Sequence, residues 1–406
     1  MKKIYPLSGF SVLGLGVALC QAFLAPQAEA INYYVSTSGS DAYNGTSISY
    51  SAPNNGPFRT IQRGVNVASG GDVINVRGGN YTESVFIQKT ASQGSPLVIR
   101  NYSNESVVVE CDPTKWSTFF VDQSTWIQIS GLALVRVTNT TFDAVYIGSS
   151  VGITVTNCDI STNTGPTSGA LFAGSSSQLS ITGNRFKDNT VWTMQIQNCS
   201  NSRIENNQIE RTRNTSTFVL TGGSSISNTV INNTFVDNYL APGGGQSVIF
   251  VLGVGAGNVI QGNRIYNTSL PAGDVSGNAS TALRVSSSSD VVVRGNTVSN
   301  YQFHGSVDFS SDNPAYIITS GEGGLTGSGI AVNGGVGAII ERVTVENNIV
   351  FGAANTGLGV GFANNSIIRG NTVNSSGQYG IGLYGDANNH SVVTGNVIEA
   401  NTSCSN

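Results

Sequence analysis

Short runs of alternating apolar and polar residues recur along most of this chain, each closed by Gly-Asn or Asn-Asn and followed by another short run. They include "LSITGNRFKDN", "SRIENNQIE", "TVINNTFVDN", "NVIQGNRIYN", "VVVRGNTVSN", "VTVENNIVFG", "SIIRGNTVNSS" and "HSVVTGNVIEAN". Taken alone, each copy reads as a hairpin around a tight turn. Together they make a repeat. From Asn157 through Asn184, Asn207, Asn233, Asn263, Asn296, Asn348 and Asn371 to Asn396, the intervals are 27, 23, 26, 30, 33, 52, 23 and 25 residues. Halving the 52 lands on Glu322, which predicts a coil with Glu in the Asn slot. Stepping 25 residues back from Asn157 reaches Leu132.

Another short strand ending in small residues precedes each copy, as in "AVYIGSS", "ALFAGSS", "TMQIQNC", "ALRVSSS", "SVDFSSD" and "GIGLYGD". The unit is therefore strand, small turn, strand, Gly-Asn turn, strand and loop. Hairpins would pair neighbours in sequence. A repeating triplet of short strands instead pairs each strand with its equivalent one repeat later, giving an all-β solenoid of parallel sheets with about 12 to 13 coils. The Asn slot suits a left-handed turn residue. Its recurrence every ~4.8 Å would let the side-chain amides form a ladder along the axis, beginning near Asn157.

Period-2 alternation in the first strand of each coil turns Val145/Ile147, Met194/Ile196, Leu283/Val285, Val307/Phe309 and Ile381/Leu383 inward. The residues between them form outward rows. One row reads Phe120, Tyr146, Phe172, Gln195, Val219, Phe250, Arg284, Asp308, Ala331, Gly359 and Gly382. Its neighbour reads Asp122, Gly148, Gly174, Gln197, Thr221, Leu252, Ser286, Ser310, Asn333, Gly361 and Tyr384. Phe58, Ile61, Val65 and Ala68 have helical spacing and predict a short helix covering the open end of the stack.

Composition supports this reading. Among 406 residues, 50 are Gly and only 10% are charged, with a net charge of −4, which excludes a basic nucleic-acid binder and a highly charged disordered chain. Lys2 and Lys3, an apolar run over 10–24, and Ala28, Glu29 and Ala30 make a signal peptide over 1–30. Cys20 follows Leu19, where a lipoprotein signal would carry a small residue, so cleavage before Ile31 and export are expected. Residues 31–72 then form a loop and the capping helix, and 73–406 the solenoid. No other segment is apolar enough to span a membrane. Cys111, Cys158, Cys199 and Cys404 allow three disulfide connectivities, but their wide spacing fits no metal motif, and buried or turn thiols are the expectation.

Candidate chemistry gathers mid-chain, where longer loops are expected at 239–246 and 268–280. Arg284 and Asp308 are placed on adjacent coils of one row, Arg284 as a base or carboxylate clamp and Asp308 holding it or a cation such as Ca²⁺, or the two as a surface ion pair. His304 and Lys187 are further acid or base candidates. Gln195, Gln197, Tyr146, Phe172, Tyr301 and Asp274 are candidate substrate contacts, with Phe120, Tyr146 and Phe172 read as a sugar-stacking platform. Lys187, Asp188, Glu210, Arg211, Arg213, Asp237 and Tyr239 complete the polar set.

These features resemble the right-handed parallel β-helix superfamily over nearly the whole mature chain. In addition, "YYVSTSGSDAYNGT", "PFRTIQRGVNVASGGDVINVRGGNYTESVFI" and "GSPLVIRNYSNESVVVE" resemble the opening of secreted β-helix proteins related to pectate lyases. The resemblance implies a polysaccharide, acidic in the lyase case, held over the first-strand sheet. A uronate lyase neutralises the substrate carboxylate with Ca²⁺ or Arg and removes the adjacent proton with a base. The paired-aspartate and Gly-His-Gly patterns of polygalacturonases are absent, as is the Asp-Pro-His-Asp pattern of mannuronan epimerases. So is a dense Asp cluster with a nearby Lys, so the resemblance supplies a fold and a substrate class and transfers no catalytic residue. Two functions stand: a uronate polysaccharide lyase, or a non-catalytic glycan-binding or adhesive protein.

Overall fold

The computed structural model describes residues 29–135, 143–163, 169–189, 192–214, 216–240, 247–268, 281–299, 329–334, 338–353, 356–374, 379–384 and 391–399. The expected signal peptide over 1–30, apart from Glu29 and Ala30, and Cys404 lie outside these residues. Three parallel sheets run the length of the molecule, holding 11, 13 and 12 strands. One coil shows the path. Val145–Gly148 lies in the first sheet, Thr154–Thr156 in the second and Asp159–Ser161 in the third. Each pairs in parallel with its counterpart one coil on.

The strands are three or four residues long in most coils and alternate buried with half-exposed positions, as the period-2 pattern requires. The inward row of Phe119, Val145, Leu171, Met194, Phe218, Ile249, Leu283, Ile330 and Leu358 is buried throughout. Further along, Val392, Val393 and Leu383 of the last described coil are exposed.

The turn between the second and third sheets divides two tasks between adjacent residues. Left-handed backbone falls on the first of each pair: Asn157, Gly183, Asn206, Asn232, Gly262, Gly295, Asn347, Gly370 and Gly395 all have positive φ. The second residue points inward and is buried. Asn184 donates from Nδ2 to Oδ1 of Asn207 at 3.0 Å, and the same bond continues through Asn233, Asn263, Asn296, Asn348 and Asn371 to Asn396. Each Oδ1 also accepts the backbone N–H of the Asn before it, and each Nδ2 also donates to a backbone carbonyl, as Asn263 does to Val230. From Asn207 to Asn371 all four hydrogen-bonding positions of the amide are used. The ladder residue is thus not the left-handed one. Asn157 occupies the left-handed slot, and the ladder position of its coil is Cys158, whose N–H donates to Asn184 Oδ1 at 3.0 Å.

Cysteines serve as rungs elsewhere too. Ser124 and Ser150 bond along the first corner to Ser150 and Ser176, and Cys199 continues that row with its N–H on Ser225 Oγ. Cys111, Cys158 and Cys199 are all buried and free. Burial pushes the thiols of Cys158 and Cys199 up to about 11, so they stay protonated and unreactive.

The 52-residue interval is one coil and not two. Asn296 bonds directly to Asn348, and the strands on either side pair directly in all three sheets. No coil intervenes to hold Glu322, Ser310 or the expected inward pair Val307/Phe309, and these residues lie outside the described ones.

Helix α1 (Ile61–Val67) buries Ile61, Gly64 and Val65 against the first strands of the stack. Residues flanking the strand Val85–Ile87 hold both helix ends. Glu83 accepts the N–H groups of Ile61 and Gln62, and Lys89 Nζ donates to the carbonyls of Asn66 and Ala68. This satisfies orphan groups at each terminus and complements the helix dipole. Gln62 in turn accepts from Phe86 N and donates to Phe86 O, at 2.7 and 3.1 Å. The first edge of this sheet is therefore paired by a side chain.

The division of labour at the turn predicts opposite tolerances at neighbouring positions. Asn233→Ala removes the acceptor of the Asn207 amide and the donor to Ile204 O, leaving buried groups unpaired at a cost of roughly 2–5 kcal/mol. Asn232→Gly keeps the left-handed backbone available, and its cost should be under about 1 kcal/mol. Denaturant unfolding of both variants measures the difference, and equal losses would refute the assignment.

Candidate functional site

The outward face of the first sheet carries the expected row with one coil added and one removed. Paired positions run Phe86, Phe120, Tyr146, Phe172, Gln195, Val219, Phe250, Arg284, Ala331, Gly359 and Gly382. Arg284 pairs with Ala331, so Asp308 is not its neighbour in the row, and the expected Arg284–Asp308 adjacency is overturned. Asp308, His304, Tyr301 and Asp274 lie outside the described residues. Gln195 follows Phe172 in the row, and Gln197 lies between Gly174 and Thr221 in the next. Lys187 is elsewhere. It sits in the third sheet between Ser161 and Glu210, around a corner from Gln195.

Around Lys187 the third sheet carries a charged strip. Arg211 holds Asp188 through two bonds of 2.7 and 2.8 Å, and Arg185 bridges Asp159 and Glu210 at 3.4 Å. These pairs are largely solvated and contribute little to stability. Opposite charges alternating from coil to coil neutralise one another, which makes the strip a structural feature of the stack.

Aromatic rings at the start of the row stack in a column. Phe86–Phe120, Phe120–Tyr146 and Tyr146–Phe172 have centroids 5.6, 4.5 and 5.4 Å apart and interplanar angles of 21°, 7° and 17°. Rings lying flat and side by side would interpenetrate at these separations, so they stand upright, face against face. Glycines make the space. A Cβ on Gly148 would meet the Tyr146 ring at 2.8 Å, and one on Gly174 would meet the Phe172 ring at 2.8 Å. The faces of Phe120 and Tyr146 are covered by their neighbours in the column, which therefore presents ring edges along its length and is not a flat sugar platform. Ring faces are turned outward only at its two ends.

Farther along, Arg284 is 7% exposed with its guanidinium 5.3 Å above the Phe250 ring. Such a contact lets the sheet hold a cation with little hydration. Near the column, burial, then the charges of Asp122 and Asp143, raise the Tyr146 phenol. Asp143 itself accepts the Gly169 N–H at 2.5 Å, and burial pushes its carboxyl up to about 6. Among the described residues of the two outward rows from Phe86 to Gly361, the ionisable ones are Asp122, Tyr146 and Arg284. Also among the described residues, no three His, Cys, Asp or Glu side chains converge as a metal cage, and no helix is long and apolar enough to cross a membrane.

Reading the sequence missed Phe86, Asp143 and the loop residues Lys115 and Trp116. Stepping the row back one more coil from Phe120 would have found Phe86. Asp143, Lys115 and Trp116 sit in connections that carry no period.

Asp143 gives the site a pH signature. Its folded value lies above the usual carboxylate value of about 4, so its contribution to stability is present below that pH and is lost as pH rises through about 6. Asp143→Asn, which cannot ionise there, should gain on the wild type by on the order of 2 kcal/mol between about pH 4 and about pH 7.5. Urea unfolding of both proteins at the two pH values is the measurement, and a pH-independent difference would refute the shift.

Known proteins place this geometry in a family. The right-handed β-helix family model matches residues 119–265 and 274–405, and the model of the Pel9A-like right-handed β-helix region matches 33–180. Pectate lyase PEL9 of Emericella nidulans is 37% identical over 91 residues, covering 22% of this chain and 20% of that protein. The uncharacterized protein YwoF of Bacillus subtilis is 36% identical over 76 residues, covering 19% of this chain and 15% of that protein. The chain thus spans a fifth or less of the length of these curated relatives. The solved surface adhesin PfbA of Streptococcus pneumoniae shares the fold at 13% identity, with a TM-score of 0.52 and coverage of 84% of this chain and 86% of that one. A GH87 α-1,3-glucanase catalytic domain does so at 14% identity, with a TM-score of 0.53 and coverage of 90% and 66%. With a family model matching well over half of its length, the chain belongs to the right-handed parallel β-helix family.

Proposed function

We propose that this protein is exported through its N-terminal signal and acts on acidic polysaccharide along the outward face of the first sheet, cleaving it by β-elimination at a uronate. The observation that carries the reading is Arg284, a nearly buried cation on that face, backed by an aromatic ring. A guanidinium matches a carboxylate in shape and charge. Pairing with a uronate carboxylate would stabilise the negative charge that develops when a base takes the proton from the adjacent carbon. The electron pair then forms the new double bond as the glycosidic oxygen leaves and is protonated. No base is assigned. The match to the Pel9A-like region and the likeness to a pectate lyase support the substrate class.

One observation favours a second reading, non-catalytic glycan binding. Val219, Phe250, Ala331 and Gly359, the residues flanking Arg284 in its row, carry no acid or base. This face can bind a charged chain without supplying the proton transfer.

Absorbance of the unsaturated product, with polygalacturonate, alginate and glycosaminoglycans as substrates, decides between the two. Each is run with and without added Ca²⁺, the cation that uronate chemistry can require. Product on at least one polymer is expected, and Arg284→Ala should lower kcat/KM by about 10²-fold, with Arg284→Lys retaining part of the activity. Binding without product would establish the second reading. Neither binding nor product would sink both.

A further inference from the structure

We infer that the coil end next to α1 holds a second carbohydrate subsite, a pocket that takes one carboxylate-bearing sugar unit at the end of the chain lying over the first sheet. The inference rests on the glycan reading above but uses none of its residues. A cavity of about 430 Å³ opens where the loop 111–118 passes the first two strands of the first sheet, lined by Ser84, Phe86, Lys115, Trp116, Ser117 and Phe120 among others. That volume falls within the range of small-ligand sites.

Four features specify the occupant. Trp116 is 62% exposed and Phe86 49% exposed, so two aromatic side chains with accessible surface line the same cavity. Phe86 is the terminal ring of the stacked column, so one of its faces has no ring neighbour in the row. Sugar rings pack their C–H faces on such surfaces. Ser117 is 2% exposed, and its hydroxyl has no hydrogen-bond partner. A buried hydroxyl left in that state costs free energy, which a ligand hydroxyl or carboxylate would recover once the loop 111–118 shifts enough to uncover the oxygen. Lys115 supplies the cation. Its neighbour Asp112 feels the Lys115 charge but forms its hydrogen bonds elsewhere, accepting from Thr114 N and Thr114 Oγ1 at 2.8 and 2.7 Å, which fixes the turn that presents Lys115 and Trp116. An aromatic wall, one cation and one unsatisfied hydroxyl select an acidic sugar over an apolar ligand.

Position strengthens the assignment. Phe86 and Phe120 belong both to the cavity wall and to the column that leads toward Gln195 and Arg284. A chain lying on this face would run along ring edges and meet an outward ring face at the end of the column.

The probe is trigalacturonate, with its fully methyl-esterified form as the neutral control, titrated into the full chain by calorimetry and tryptophan fluorescence. Trigalacturonate should bind and change the fluorescence, and Trp116→Phe should abolish that change although two other Trp residues remain. Trp116→Ala should weaken both ligands at least tenfold. Lys115→Gln should weaken the acid about tenfold and leave the ester unaffected. Ser117→Ala should weaken trigalacturonate about fivefold without lowering the melting temperature, since it removes an unsatisfied group. Failure of trigalacturonate to bind, or full affinity in Trp116→Ala protein that melts like the wild type, would overturn the subsite. Parallel assays of the Arg284 variants on polygalacturonate separate the two ideas. Trp116-dependent trimer binding without polymer cleavage keeps the subsite and removes the lyase, and cleavage with Trp116-independent trimer binding does the reverse.

Discussion

Every coil of this protein depends on satisfying the backbone at corners that no solvent reaches. A parallel stack of three-residue strands turns sharply three times per coil, and each turn leaves inward amides and carbonyls without a strand partner. The ladder from Asn184 to Asn396 answers this with one side chain per coil. An Asn amide has two donor and two acceptor positions, and all four are used at every rung between the two end ones. The same arithmetic explains the Ser row at the first corner and the substitution of Cys158 and Cys199 into ladder positions, where a buried thiol accepts a backbone N–H more weakly but fills the space.

That constraint is also why the architecture was so readable. A residue type required once per coil leaves a period in the sequence, and alternation within each strand then sorts inward from outward positions without further information. The limits of the reading have the same origin. Gly-Asn and Asn-Asn pairs mix two roles, so the Asn of the left-handed slot and the Asn of the ladder cannot be told apart by type, and Asn157 lies one position before the ladder. The interval of 52 divides evenly by chance. A loop between the third and first sheets can take any length, because its closure entropy rises only slowly with size, so divisibility says nothing about whether a coil intervenes. The direct Asn296–Asn348 bond leaves no coil between these two rungs for Asp308 and Glu322 to occupy.

The face of the first sheet was legible as a list and not as a surface. Alternation gives the side of the sheet on which Phe120, Tyr146 and Phe172 lie, but not the tilt of their rings. Coil spacing decides the tilt: neighbouring strands are closer than the width of a ring, so identical rows of aromatics must stand upright and cover one another. A row that reads as a flat binding platform therefore becomes a column. Its glycine partners Gly148 and Gly174, which look like simple turn-formers in sequence, are instead the clearance the rings need.

Regularity itself works against chemistry. A perfect solenoid presents the same side chain at every rung, whereas recognition and catalysis need different groups converging on one point. Function in such a molecule must come from rungs that break the pattern and from the loops that join the third sheet to the first. Arg284 is such a break: it follows Val219 and Phe250 and precedes Ala331, in a strand of six residues where most of this sheet's strands have four. The loop carrying Lys115 and Trp116 is another, because it folds over the sheet at the one place where α1 ends the stack and the column offers an open ring face. The charged strip around Lys187 fails this test. Its residues alternate in sign from rung to rung and neutralise one another, so it reinforces the repeat, whereas Arg284 and Trp116 depart from it.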